Sequence, residues 1–336
     1  MATDHVLDQL RAAARGDGPA DDVVRAAGDA DHIGGSPARY VATPHHTGQA
    51  AAVLRTAADL GLAVAIRGGG TKLDWGNPPR RLDLVLDTGA LAGVVEHAAG
   101  DLITVVRAGT RLDELAATLA RADQQLALDA PLPGATVGGT VATATSGPRR
   151  MLYGTVRDLL IGVTLVRADG VVAHAGGKVV KNVAGYDIGK LVAGSYGTLG
   201  LITECAFRLH PLPAAAAYIS RRVDDPAEAG RLAAAVRGAQ LVPTALEVDL
   251  PSRGGAEVTV LLEGTPAGVT ARAATTRRLL GAAAPPPTPR RPGWGAQPWH
   301  PGDVGLKLPP RFPAYPELLA ARPLGRPPGT TCASRY

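Results

Sequence analysis

Residues 62–76 read LAVAIRGGGTKLDWG, and the reading of this stretch decides the fold. Leu62-Ala63-Val64-Ala65-Ile66 is an apolar, strand-length run that stops abruptly at Arg67. The three glycines that follow, Gly68-Gly69-Gly70, let the backbone turn sharply. They also bring N–H groups against an anion with no Cβ in the way. Arg67 and Lys72 add positive charge, and Thr71 a hydroxyl. Taken by itself the loop is either an anion cradle or a glycine-rich turn that binds nothing, since glycine punctuates many loops.

Working outward, the pattern is mixed α/β. Residues 3–14 place Val6, Leu7, Leu10 and Ala14 at helical spacing, with Gly16 as a stop. A short strand over 40–42 leads to Thr47, read as an N-cap. The helix after it presents Ala50, Val53, Leu54, Ala57 and Leu60, then stops at Gly61. Strands follow over 82–86, 94–97 and 102–107. Thr110 is read as the cap of a helix carrying Leu112, Leu115, Leu119 and Ala122. Residues 159–166 and 171–175 flank Ala168-Asp169-Gly170, a hairpin signal because Asp-Gly tolerates positive φ. Past the break at Pro211 and Pro213 the order becomes strand 217–223, helix 225–237, strands 245–250 and 258–263, and helix 266–280. That β-α-β-β-α order predicts a small α+β layer domain beginning near residue 213.

Composition bounds the function. The chain has 336 residues, 46% of them apolar, which permits a core and two modest domains. The net charge of +5 resides in residues 285–336, where seven Arg/Lys face two acids; the remainder is balanced. That segment also carries 14 of the 28 prolines, so it is expected to hold no regular elements and to form no domain. A basic tail without interleaved stacking aromatics argues against a nucleic-acid partner. No apolar run approaches the roughly 18 to 20 residues of a membrane-spanning helix, and residues 1–10 show no export signal. A cytoplasmic protein is expected. Two distant cysteines, Cys205 and Cys332, exclude a disulfide framework and any cysteine-held cluster within this chain.

Four further clusters bear on chemistry. PLPGATVGGT (131–140) stiffens its approach with two prolines, caps a helix with Thr136, and opens that helix with Gly138-Gly139. Those glycines suit close contact with a flat or anionic ligand, or simply let a Gly/Ala-rich helix sit close to a sheet. YGTVRD (153–158) precedes a strand. Lys178 and KNVAGYD (181–187) pack a lysine, an amide and a tyrosine into one turn, either a functional cluster or a solvated loop. In GSYGTLGLITE (194–204), Gly194, Gly197 and Gly200 are spaced by three and run into a strand. This is not the dinucleotide fingerprint, and a Rossmann fold is rejected.

In this order and spacing the clusters, with SGPRR (146–150) and Gly176-Gly177-Lys178, resemble the FAD-binding domain of the vanillyl-alcohol-oxidase/PCMH flavoprotein superfamily. Within it they look most like the FAD-binding subunit of bacterial glycolate oxidases. The resemblance covers about residues 40–210. It implies an α+β fold: a PCMH-type, two-subdomain FAD-binding domain over 36–213, then a reduced, truncated α+β cap over 214–284. Residues 285–336 form the poorly ordered Pro/Gly/Arg-rich tail. The implied cofactor is FAD. Arg67, Gly68, Gly69, Gly70 and Thr71, with Lys72, would hold its pyrophosphate. Pro133, Thr136, Val137, Gly138, Gly139, Thr143, Ser146 and Gly147 would line the flavin and ribityl side. Val156, Gly200 and Ile202 would hold the adenine end.

Two departures shape the expectation. Relatives with covalent flavin carry a histidine in the first glycine loop; here it continues Lys72-Leu73-Asp74-Trp75, so the FAD should be non-covalent. Relatives that oxidise 2-hydroxy acids place histidines and an arginine in the cap, and the eight histidines here form no such cluster. The catalytic residues are therefore unassigned, with Lys181, Asn182 and Tyr186 as candidates for substrate or flavin contact, and no metal site is expected. The implied function is the FAD-binding subunit of a glycolate oxidase-like 2-hydroxy acid oxidase or dehydrogenase complex. Its partners would be a larger flavin oxidase subunit and an iron–sulfur subunit, through which it could lie against the inner face of a membrane. The alternative is a non-catalytic FAD-binding or structural subunit whose partner carries the chemistry.

Overall fold

The computed structural model describes residues 4–15, 23–129, 131–178, 186–250, 255–282, 294–296 and 332–335. They divide into two compact units. The first comprises Met1–Leu126, Leu132–Thr145 and Thr155–Pro211; the second comprises Ala127–Pro131, Ser146–Gly154 and Leu212–Tyr336.

In the first unit, the apolar runs noted above become a four-stranded sheet in the order Val24–Ala26, Tyr40–Ala42, Leu84–Asp87, Val64–Arg67. The last three strands are parallel. Tyr40, Ala42, Leu84 and Leu86 face a core shared with the helices His5–Ala14 and Thr47–Asp59, which contribute Leu10, Ala14, Val53 and Ala57. Val41 and Val85 point to the other side, against Ile33 and Leu82. Burial on both faces explains why these strands read as continuous apolar runs. The second sheet is antiparallel throughout, in the order Val172–Gly176, Leu160–Val166, Leu201–Arg208, Ile103–Arg107, Val94–Ala98. Its first two strands form the expected hairpin, closed by Gly170 at φ +77°.

The second unit is one antiparallel sheet, Ala215–Val223, Ala256–Gly264, Ala245–Leu250, Cys332–Arg335, with helices Pro226–Gly238 and Pro266–Leu280 packed on one face. Asp225 and Thr265 cap the helices, each followed by a proline whose missing N–H costs nothing at a first turn. Ile219, Leu246, Val248, Val258, Val260 and Leu262 meet Ala233, Val236, Val269 and Leu280 in the core. On the opposite face Trp294 is buried with Ala245 and Leu261, edge-on to Tyr218 at 5.2 Å between centroids.

Three expectations are corrected. The N-cap of Thr47–Asp59 is His46, whose Nδ1 accepts the Gln49 N–H at 3.3 Å; the extended backbone at His46 puts the ring, not the Thr47 hydroxyl, over the free amides. Thr110 does not cap the next helix, which begins after Arg111. Its hydroxyl accepts the Gly93 N–H at 2.8 Å instead. The proline-rich tail does contribute a regular element: Cys332–Arg335 adds an edge strand to Ala245–Leu250, its proline-free sequence leaving every N–H available. Among the described residues no helix is long and apolar enough to cross a membrane.

Candidate functional site

The site lies within the first unit and is assembled from the motifs that carried the resemblance. Val64–Arg67 is the edge strand of the parallel sheet, and its end is anchored where the Arg67 carbonyl accepts the Thr88 N–H at 2.9 Å. The chain then enters Gly68-Gly69-Gly70. A Cβ on Gly68 would lie 2.5 Å from Thr136 Oγ1, and one on Gly69 would lie 2.0 Å from the Gly134 carbonyl oxygen. The first two glycines are thus required by contact between two loops. Gly70, at φ +71°, supplies the turn.

The second loop is fixed from below. Gly138 donates to the Ala108 carbonyl at 2.7 Å, and a Cβ there would stand 2.7 Å from Ala108 Cβ. Gly138 thus packs closely against Ala108, just past the strand Ile103–Arg107. Thr136 Oγ1 accepts the Gly139 N–H at 3.3 Å, and Thr143 Oγ1 returns a bond to the Gly139 carbonyl at 2.8 Å. The third wall is the turn before Leu201–Arg208. Its Tyr196 N–H donates to Ala142 O at 2.8 Å, and Gly194 N–H donates to Val141 O at 3.0 Å. Tyr196 sits at φ +55°, a strained conformation for a residue with a large side chain.

Between these walls lies an open cleft of about 750 Å³, counted out to its opening into solvent. Of the residues singled out in the sequence, Gly68, Gly69, Gly70, Thr71, Lys72, Thr136, Gly138, Gly139, Thr143, Gly200 and Ile202 line it. Ile66, Leu73, Thr88, Ala108, Ala142, Tyr196 and Gly197 line it too and were not assigned a role. Thr88 had a usable signal: it follows the carboxyl end of a parallel strand, where open α/β sheets bind ligands.

The cleft gathers hydrogen-bond donors and positive charge. Among the described residues, the N–H groups of Gly68, Gly69, Gly70 and Thr71 find no acceptor in the protein. Beside them stands Lys72, with Nζ 3.3 Å from Thr71 Oγ1 and 5.9 Å from the centre of the Trp75 ring. No described carboxylate pairs with it, and burial holds its pKa below the usual lysine value. Free amides around an under-solvated cation gain most from a bound phosphate. Ile66, Leu73, Ala108, Ala142 and Ile202 supply an apolar remainder.

Other candidates lie elsewhere. The Arg67 guanidinium is not in the lining; Asp87 holds it at 2.7 Å and Asp31 at 3.2 Å. Val137 and Val156 are buried, and Pro133 is exposed. Ser146 and Gly147 belong to the second unit, where a Cβ on Gly147 would strike Asp129 Cβ at 2.3 Å. There Asp129 pairs with Arg149 at 2.9 Å, and the Tyr153 hydroxyl donates to Glu263 Oε2 at 3.1 Å. Burial pushes Tyr153 up to about 12 and raises the Glu263 carboxyl above its ordinary value. Tyr186 is 95% exposed, Lys178 is ion-paired with Glu96, and Lys181 and Asn182 lie outside the described residues. His46 caps a helix, His97 bonds Gln124 and His174 bonds Thr164; no described histidine lines the cleft.

Residues 38–176 match the family described as FAD binding domain. Glycolate oxidase subunit GlcE of Escherichia coli (strain K12) is 37% identical over 162 residues, which are 48% of this chain and 46% of that protein. D-lactate dehydrogenase of Archaeoglobus fulgidus is 36% identical over 174 residues, 51% of this chain and 38% of that protein. The chain thus spans less than half the length of either relative. The solved structure of alkyldihydroxyacetonephosphate synthase shares the fold, with a TM-score of 0.64 at 20% identity over 73% of this chain and 51% of that one.

Proposed function

We propose, from the match of residues 38–176 to the FAD binding domain family, that this chain is the FAD-binding subunit of a 2-hydroxy acid oxidase or dehydrogenase of the glycolate oxidase type. The observation that carries the reading is the row of four amides, Gly68 to Thr71, that find no acceptor among the described residues, beside Lys72, with which no described carboxylate pairs. It fits the pyrophosphate of FAD, and the apolar lining fits the remainder of so long a ligand. When bound, FAD supplies the hydride acceptor that no side chain provides. The loop amides and Lys72 would hold the diphosphate, while Thr136 fixes the loop that faces it. Ile66, Leu73, Ala142 and Ile202 exclude water along the cleft. Among the described residues neither histidine nor cysteine lines it, which supports non-covalent attachment.

A second reading, that this subunit needs a partner for the chemistry, is favoured by the same lining. Among the described residues Lys72 and Tyr196 are its titratable side chains, and no described carboxylate or histidine places either to act as a base toward a hydroxyl. The partners proposed are a larger flavin subunit and an iron–sulfur protein, acting in the cytoplasm or against the inner face of the membrane. The test starts from the purified chain loaded with FAD. Acid precipitation should release all the yellow colour, and anaerobic glycolate or D- or L-lactate should bleach the flavin slowly unless the partner subunits are added. A chain that stays colourless in excess FAD refutes the cofactor. Rapid bleaching of the isolated chain refutes the need for a partner.

A further inference from the structure

The loop that would hold the diphosphate is itself held by a group far from it in sequence. Arg67 is the last residue of its strand and the residue directly before Gly68. Its guanidinium forks between two carboxylates: Nε to Asp87 Oδ2 at 2.7 Å, and Nη1 to Asp31 Oδ1 at 3.2 Å. Asp87 is its register partner on the neighbouring strand. Asp31 is not part of that sheet and precedes residues 38–176, which match the family. Its carboxylate also receives a two-pronged bond from Arg25, at 2.7 and 3.2 Å, and the Gly28 N–H at 3.0 Å. So many donors on a carboxylate that is only 7% exposed make it a rigid post.

We propose that Asp31 is a positioning residue for the cofactor loop: it fixes the Arg67 guanidinium and so sets where the Gly68–Thr71 amides stand. The inference rests on the reading of that loop as the diphosphate site. It follows from where the anchors come from: Asp87, and Thr88, whose hydroxyl donates to the Arg67 carbonyl at 3.3 Å, hold the strand exit from the neighbouring strand and the residue after it, whereas Asp31 reaches the guanidinium from outside the sheet. The opposite end of the strand has a matching anchor. Asp83 Oδ2 accepts the Ala63 N–H at 2.8 Å and pairs with Arg81 at 2.6 Å, with its side chain 8% exposed. Asp83 therefore serves as the control. It is equally buried and equally paired, but it holds the entrance of the strand and not the loop.

The experiment compares Asp31→Asn, Asp83→Asn and Arg67→Lys in the full chain, by FAD titration and by thermal melting without FAD. Arg67→Lys keeps the charge but lacks the fork that reaches two carboxylates at once. Asp31→Asn and Arg67→Lys should each weaken FAD binding about tenfold, the size of one lost charge-assisted bond. The double variant should be no weaker than either single one, and Asp83→Asn should lower the melting temperature with FAD affinity unchanged. The inference is overturned if Asp31→Asn binds FAD like the wild type, or if Asp83→Asn weakens binding as much. Should Asp31→Asn not fold, Arg67→Lys decides, because wild-type affinity in that variant contradicts positioning through the fork. A wild-type chain that takes up no FAD overturns the cofactor reading and this inference with it.

Discussion

Gly69→Ala tests the loop contact with the smallest possible change. A Cβ at residue 69 would lie 2.0 Å from the Gly134 carbonyl oxygen and 3.1 Å from its carbon. Both are backbone atoms, so no side chain swings away to relieve the overlap. Ordinary van der Waals contact lies more than 1 Å further out, and either the first glycine loop or the second must retreat by about that much. Gly69 has no positive φ, so the whole cost is steric, of the overpacking kind, about 1–3 kcal/mol. The retreat moves the amides of Gly68 to Thr71 away from a shared ligand, and the same energy lost from binding weakens FAD roughly tenfold to a hundredfold. Gly70→Ala is the informative partner. Its Cβ would meet only Leu73 Cδ1 at 3.8 Å, and its penalty is the φ of +71° alone. The assay is FAD titration followed by quenching of flavin fluorescence, with circular dichroism of the apoprotein to measure stability. Gly69→Ala should lose more affinity than Gly70→Ala. If it binds FAD as tightly as the wild type, the two loops do not share a ligand and the geometric argument fails.

Two other outcomes are expected. Lys72→Met keeps the apolar stem and removes the charge, so FAD affinity should fall about tenfold and its salt dependence should flatten, read by titration at two ionic strengths; an unchanged salt slope would place the diphosphate elsewhere. Burial raises the Glu263 carboxyl in the folded state, so the stability it contributes is present at low pH and lost as pH rises through that folded value. Glu263→Gln removes the loss while still accepting the Tyr153 hydroxyl. The melting temperature of the variant relative to wild type should therefore climb as pH rises from the ordinary carboxylate value through the raised folded one, and a flat difference would mean the carboxyl is solvated.

The elements were legible in the sequence because each is a local matter. The Leu62–Ile66 run, the Asp169-Gly170 turn and the β-α-β-β-α order after Pro213 follow from apolar period and turn chemistry over a few residues. Strand ends moved by a residue or two, as with Val64–Arg67, because hydrogen-bond pairing and not hydropathy sets them. The cap at His46 escaped for a similar reason: which residue turns its side chain back over the amides depends on the local backbone angles, and the helix after Arg111 has no side-chain cap at all. The glycine clusters, too, were plain as clusters, and their order along the chain was enough to suggest FAD.

What each glycine is for lay beyond any local reading. Gly68 and Gly69 are small because of Thr136 and Gly134, and Gly138 because of Ala108, contacts between segments distant in the chain. The sequence also displayed Arg67 and Lys72 as two equivalent cations flanking the loop. Their difference arises from neighbours contributed by other strands. Asp87 and Asp31 neutralise Arg67, whereas no described carboxylate reaches Lys72, which burial leaves under-solvated and short of a counter-charge. Residue type determines what charge a side chain brings, and tertiary contacts alone determine whether that charge is already satisfied or still available to a ligand.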